Sequence, residues 1–375
     1  MITLPPLSAE AESAQLAAGG PFHHPVAFRE LVANLRETRI PVLGGFIQLR
    51  DVMGHERDVA ADARVTSQVA SKLPEDDVNL LRYLLRHRHT TPFEMVELKF
   101  HVRVGMDTWR QWIRHRTASV NEYSTRYSPA IDDCQTADGN WRAQATSNRQ
   151  GSDGLVGSGW PEGYSIVPLD EYHDALLVVD ESEHRLWGIL YLSPEAKAAG
   201  GEPDLMAVIH GTIESVTPSA YLTEREAIGQ HQARETYEER LRFGVAKELA
   251  RKDLPLSTMT EAIWKINLHN LMHFLSLRMD SHAQLEIRTY ANTIGEIVKT
   301  LYPVTWEAFS EYRLNAMQLT HKDIITCQQI MSSGCDLPVS RGVFMDLCHH
   351  SWNGIERCRE RDECEVKLRR LKLVV

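Results

Sequence analysis

Arg114-His115-Arg116-Thr117-Ala118-Ser119-Val120-Asn121-Glu122-Tyr123-Ser124-Thr125-Arg126-Tyr127 packs three arginines, a histidine, two serines, an asparagine and a glutamate into fourteen residues, with almost nothing apolar to bury. A surface helix shows an apolar stripe at 3.6-residue spacing, and a half-buried strand alternates. This stretch does neither cleanly and is expected as a loop. Upstream, Trp109-Arg110-Gln111-Trp112-Ile113 reads as a short amphipathic helix capped by Asp107 or Thr108. The polar block therefore leaves a packed element. Arginine presents a planar, bidentate fork that suits phosphate, while Ser and Asn suit sugar or base edges. A solvated charged loop is the alternative that residue chemistry alone leaves open.

The order Arg-His-Arg-x-x-Ser-x-Asn-Glu-x-Ser-x-Arg-Tyr resembles the hallmark motif of the flavin-dependent thymidylate synthases, with every fixed position present. The resemblance implies an α+β fold particular to that family, a mixed sheet with helices. It implies FAD held between subunits of a homotetramer. The implied reaction is reductive methylation of dUMP to dTMP, with methylenetetrahydrofolate as carbon donor and NADPH to re-reduce the flavin. Carried onto the motif, it implies dUMP contacts from Gln111, Arg114, Ser124, Thr125 and Arg126. Flavin contacts are implied for Arg114, His115, Arg116 and Glu122.

Working back towards the N-terminus, Val96, Leu98, Phe100, Val102 and Val104 alternate with Glu97, Lys99, His101 and Arg103, which is the clearest strand in the chain. Before it, Thr90-Thr91-Pro92-Phe93-Glu94 forms a Pro-stiffened turn, and Val78, Leu81, Leu84 and Leu85 share one helical face. A lone His89 at that turn is ordinarily a surface residue. His-x-Thr-Pro-Phe-Glu before a strand nevertheless resembles the same family, and implies His89 against the flavin. Arg64-Val65 fits a family segment in which Thr66 stands at a usual serine, which implies a flavin contact for Thr66. A helix is expected at 28–39 and a strand at 46–50, after Pro41 and Gly44-Gly45 break the chain. Residues 1–25, rich in Ala, Gly, Pro and Glu, read as a loose tail.

Beyond the motif, residues 141–144 and 148–152 resemble a segment of many bacterial members. Residues 153–220 match no family pattern and read as an inserted subdomain, with a hairpin of strands at 175–179 and 186–192 and a loop at 194–203. Resemblance resumes near Ala227, with a helix at 235–243. Trp264, Leu268, Leu271, Met272 and Leu275 give the apolar face of a further helix. On its other side Asn267 and Arg278 lie about 16 Å apart along the axis. Spacing leaves open whether that side holds a ligand or is solvated. The resemblance implies that Asn267 and His273 contact flavin, the latter where relatives often carry asparagine. It also implies that Arg278 is the catalytic arginine against the pyrimidine, and that Arg251 contacts the nucleotide phosphate. The catalytic domain is expected over 26–314, with a cysteine-containing extension at 315–375.

Composition narrows the classes. With 375 residues, 43% hydrophobic, the chain supports a sizeable core. Its formal net charge of −10 argues against general affinity for nucleic acid or anionic membrane. A local arginine cluster can still capture an anion, because screening over about 8 Å silences distant acids. Six scattered cysteines, the lack of a secretory signal and the lack of a long apolar run point to a soluble cytoplasmic protein. His269 and His273 lack a third metal ligand in sequence reach, so no metal is expected. Cys134 is the one thiol near the motif, and a covalent thymidylate synthase would need an activated one. No Gly-x-Gly-x-x-Gly follows a strand, so the flavin is not expected on a Rossmann domain. Two other functions stay open: methylation of another uracil nucleotide such as UMP, and a non-catalytic nucleotide- or RNA-binding module.

Overall fold

In the computed structural model, the described residues are 3–65, 73–146, 151–168, 175–180, 185–191, 206–208, 217–348 and 358–375. The alternating segment forms the central strand Glu97–Gly105, in which Leu98, Phe100, Val102 and Val104 are fully buried. Strands Gly45–Met53 and Met259–Asn267 pair with it on either side, both antiparallel. Ile40–Val42 adds to the outside of the former, and Ser119–Glu122 to the outside of the latter. The architecture is α+β, and this sheet is antiparallel throughout. The first hairpin turns at Leu43 and Gly44, both at positive φ (46° and 76°), which matches the strand twist of a two-residue loop. At Gly45 the backbone runs so close to the Arg103 carbonyl that any Cβ would clash.

One face of the sheet is dry. Trp264 and Phe100 point into it, and Trp112 packs edge-on against Trp264 at 5.2 Å and beside Phe274 at 5.1 Å. Helix Leu285–Leu301 covers the sheet with Ile287, Tyr290, Ala291, Ile294, Ile297, Val298 and Leu301, the i, i+3, i+4, i+7 spacing of a helix stripe. Each such large apolar side chain contributes about 1.5–3 kcal/mol through burial. The other face carries His101, Arg103, Glu261 and Asp133 in ion pairs.

Several expectations need correction. Residues 9–18 form a helix, Ala9–Ala18, capped by Ser8, with Ala11 and Phe22 buried, so the expected loose tail carries a helix that packs on helix Pro25–Glu37. The helix Met106–Trp112 begins at Gly105 with no side-chain cap; Thr108 is buried, and Asp107 Oδ2 accepts from Gln284. Part of the expected loop, Ser119–Glu122, is an edge strand whose backbone pairs with Met259–Asn267. Trp264 belongs to that strand, not to the following helix, which starts at Leu268.

Ala175–Asp180 and Arg185–Tyr191 pair antiparallel within a separate four-stranded sheet that also holds Tyr164–Pro168 and Met206–Val208. The expected loop at 194–203 and most of segment 148–152 lie outside the described residues. The helix expected at 235–243 is the end of a much longer one, Pro218–Arg242. The chain divides into two compact units, Met1–Glu307 and Ala308–Val375, whereas the sequence placed the boundary at 314. The second unit is a small helical body closed by Ile330, Phe344, Cys348, Cys364 and Leu368. No described helix is long and apolar enough to cross a membrane.

Candidate functional site

The site is organised by the helix Leu268–Arg278 and the junction that precedes it. Strand Met259–Asn267 hands over to the helix at Asn267, whose side chain accepts from the Asn270 backbone N–H at 2.9 Å and caps the first turn. Asn267 therefore stands at the helix entrance and not on its flank, as the sequence suggested. Its amide NH₂ makes no hydrogen bond among the described residues, so it keeps a donor for a ligand. Thr91–Glu94 packs on this helix, and the Val96 carbonyl accepts from Leu268 N–H at 2.8 Å. His89 ends the preceding helix Pro74–Arg86: Arg88 sits at φ 63°, and His89 N–H bonds the Leu84 carbonyl, a left-handed stop made without glycine. The His89 ring is exposed and stacks on Tyr83 at 5.8 Å.

At the other end of the helix Arg278 meets the start of the motif. Its Nε donates to His115 Nε2 at 3.0 Å. The His115 ring packs against Phe274 at 4.9 Å and lies 6.0 Å from that of His273. Burial, with Arg278 and His273 adding to it, pushes the His115 pKa down to about 4. His115 is therefore neutral near neutral pH and can offer a lone pair to the guanidinium. Arg278 is partly buried, and among the described residues it has no carboxylate partner. One of its five donors is used, and the planar fork of its terminal nitrogens stays available.

The far end of the motif folds onto the segment after the long helix. Arg251 Nη1 donates to Thr125 Oγ1 at 2.6 Å, with Thr125 only 5% exposed. Arg126 makes an exposed ion pair with Glu248 at 3.4 Å, and Lys247 Nζ donates to the Tyr127 carbonyl at 2.8 Å. Exposed pairs of this kind contribute little, so Arg126 can exchange Glu248 for a phosphate at small cost. Ser124 holds the turn, its carbonyl accepting from Tyr127 N–H and Ser128 N–H at 3.1 Å each. The long helix fixes this arm: Tyr237 Oη accepts from Ala130 N–H at 2.9 Å, and Arg240 pairs with Asp253.

The remaining expected residues are placed unequally. Arg114 and Arg116 are exposed, with no side-chain hydrogen bond among the described residues. Glu122 accepts from Thr260 Oγ1 at 3.0 Å. Gln111 donates to Gln284, which in turn reaches Asp107, a tie between motif and helix Leu285–Leu301. His273 is exposed on the helix beside His115. Thr66 lies outside the described residues. Sequence reasoning assigned no role to Gln284, Phe274, Lys247 or Glu248, because each meets the motif across more than 100 residues of chain.

The comparisons decide the family. Residues 48–304 match the family model described as thymidylate synthase complementing protein. A flavin-dependent thymidylate synthase of Gluconobacter oxydans is 40% identical over 297 residues, covering 76% of this chain and 77% of that protein. A Thermus thermophilus enzyme of the same name is 38% identical over 286 residues, covering 76% of this chain and 83% of that one. This chain belongs to the flavin-dependent thymidylate synthases. A solved structure, the UMP/dUMP methylase PolB from Streptomyces cacaoi bound with 5-Br dUMP, aligns with a TM-score of 0.52 and 25% identity, covering 73% of this chain and 97% of that one.

In a flavin-dependent synthase the protein binds and orients, while the cofactor carries the redox chemistry. The donor set fits a flavin nucleotide: the open arginines Arg114 and Arg116 suit its phosphates, and the Asn267 NH₂, without a partner among the described residues, and the exposed His89 and His273 suit its ring. Cys134 does not fit a covalent route. Burial raises its thiol pKa above the ordinary value, and its Sγ lies 3.9 Å from Thr258 Oγ1. A thiol held protonated is a poor nucleophile.

Proposed function

We propose that this enzyme methylates dUMP, with FAD as its flavin, methylenetetrahydrofolate as carbon donor and NADPH as reductant, in the cytoplasm, where its six free cysteines stay reduced. The observation that carries the site assignment is Arg278, held through Nε by a neutral His115 with its fork left open. Loss of the N3 proton puts negative charge on the uracil ring, and a preoriented guanidinium stabilises that charge without reorganising. Arg251, set by Thr125, and Arg126, loosely paired with Glu248, bind the phosphate; Gln111, Arg114 and Ser124 complete the nucleotide contacts. When bound, the flavin supplies the hydride that completes the methyl group.

Assembly as a homotetramer with active sites between subunits is supported by what the chain leaves uncovered. All four residues of the edge strand Ser119–Glu122 are exposed, and Tyr127 and Phe243 are each 81% exposed beside the motif arm. Large apolar groups and a strand edge that is unpaired among the described residues mark an association surface. Residues 153–220 are proposed as an insertion that such an assembly accommodates. The test is direct: protein loaded with FAD and given dUMP, methylenetetrahydrofolate and NADPH should form dTMP, and omission of any one should stop it. UMP is assayed in parallel, because the aligned Streptomyces protein is a UMP/dUMP methylase. Turnover of UMP in preference to dUMP would overturn the choice of nucleotide.

A further inference from the structure

A cavity of about 280 Å³ opens far from the motif, between the segment before the second sheet and the start of helix Pro218–Arg242. Trp160, Tyr164, Tyr221, Pro161 and Pro218 form its walls, and Arg225 lies on its lining. The rings of Trp160 and Tyr221 sit 5.6 Å apart at 51°, so the walls are π faces held at an angle. Tyr221 is only 7% exposed, yet its hydroxyl has no hydrogen-bond partner among the described residues. The Trp160 indole N–H and the Arg225 guanidinium likewise have none. Arg225 is near enough to act electrostatically on the Tyr221 phenol. A pocket with two ring walls, a phenol, an indole N–H and a guanidinium offers donors and positive charge and, among its described lining residues, no carboxylate. A guanidinium and two neutral donors beside ring walls complement an anionic group carried on an apolar ring.

Size narrows the class. A cavity of about 150 Å³ holds benzene, so this one takes a single ring with a small charged substituent, not a dinucleotide or a whole folate. Tyr221 is sixteen residues before Tyr237, which anchors the motif arm, so the two regions are about 24 Å apart along one helix. We propose that this cavity is a second binding site, separate from the dUMP site, for a single-ring aromatic carboxylate.

The test uses full-length, FAD-loaded enzyme and 4-hydroxybenzoate as probe, by titration calorimetry and quenching of tryptophan fluorescence. Saturable binding is expected, with roughly tenfold or greater weakening in Arg225→Gln, since a charge-assisted contact is lost. The neutral methyl ester should bind at least as weakly to the native enzyme. Trp160→Ala should lose both the quenching and the binding, and saturating dUMP should leave the affinity unchanged. Near-native circular dichroism and flavin content would show that the variants fold. The proposal is overturned by absence of saturable binding in the millimolar range, by equal affinity for acid and ester, by an unchanged Arg225→Gln, or by displacement with dUMP.

Discussion

His115→Phe separates orientation of Arg278, the proposed catalytic arginine, from its presence. The phenyl ring can keep the packing against Phe274, 4.9 Å away, but offers no acceptor to Arg278 Nε, now 3.0 Å from His115 Nε2. A hydrogen bond to a charged group contributes about 1.5–3 kcal/mol, so the fork of Arg278 should lose about ten- to hundredfold of its benefit to the rate. Single-turnover oxidation of the reduced enzyme at saturating dUMP, followed by flavin absorbance, reads this without interference from nucleotide affinity. His115→Gln restores an acceptor and should recover part of the rate, which a purely structural role would not produce. Because the pKa of His115 lies near 4, the native rate should show no step from this group between about pH 5.5 and 8. A Phe variant that retains flavin and reacts at the native rate would refute the orienting role.

Glu56 is fully buried, accepting from Thr305 N–H at 2.9 Å and Thr305 Oγ1–H at 3.1 Å, and burial pushes its pKa up to about 7 from 4.5. Its folded value lies above the unfolded one, so its contribution to stability is full below pH 4.5 and is lost as pH rises through 7, by about 3 kcal/mol. Glu56→Gln should flatten the pH dependence of Tm in that window, and an unchanged slope in thermal melts would count against it. Arg251→Ala should raise the dUMP concentration needed for half-saturation about tenfold or more while sparing the saturated rate, because the proposed contact is to phosphate in both ground and transition states. Cys134→Ser should keep turnover, and loss of activity with fold and FAD intact would restore a covalent thiol mechanism.

The parts of this fold set by local period were legible in the sequence. The alternation from Val96 to Val104 marked the central strand, and the fixed letters from Arg114 to Tyr127 marked the family. The strand–helix junction was misread because Trp264, Leu268, Leu271 and Leu275 satisfy helical spacing across the joint. Met259, Ala262, Trp264 and Ile266 are all buried and the last three alternate, so the strand period was also present. Ser119–Glu122 gave no strand signal, since an edge strand exposed on both sides needs no alternating apolar face. Arg278 on His115 and Arg251 on Thr125 join residues 163 and 126 positions apart. Local spacing carries no information on such pairs; the sheet and its covering helices bring them together.

Arg278 is proposed to stabilise charge that develops on the uracil during reaction. Arg278→Ala, loaded with FAD and reduced, should oxidise with saturating dUMP and methylenetetrahydrofolate more slowly than the native enzyme by a factor on the order of 10² or more. Arg278→Lys should recover only part, since it keeps the charge and loses the fork. Oxidation of Arg278→Ala at the native rate once dUMP saturates would contradict the claim and leave Arg278 a binding residue.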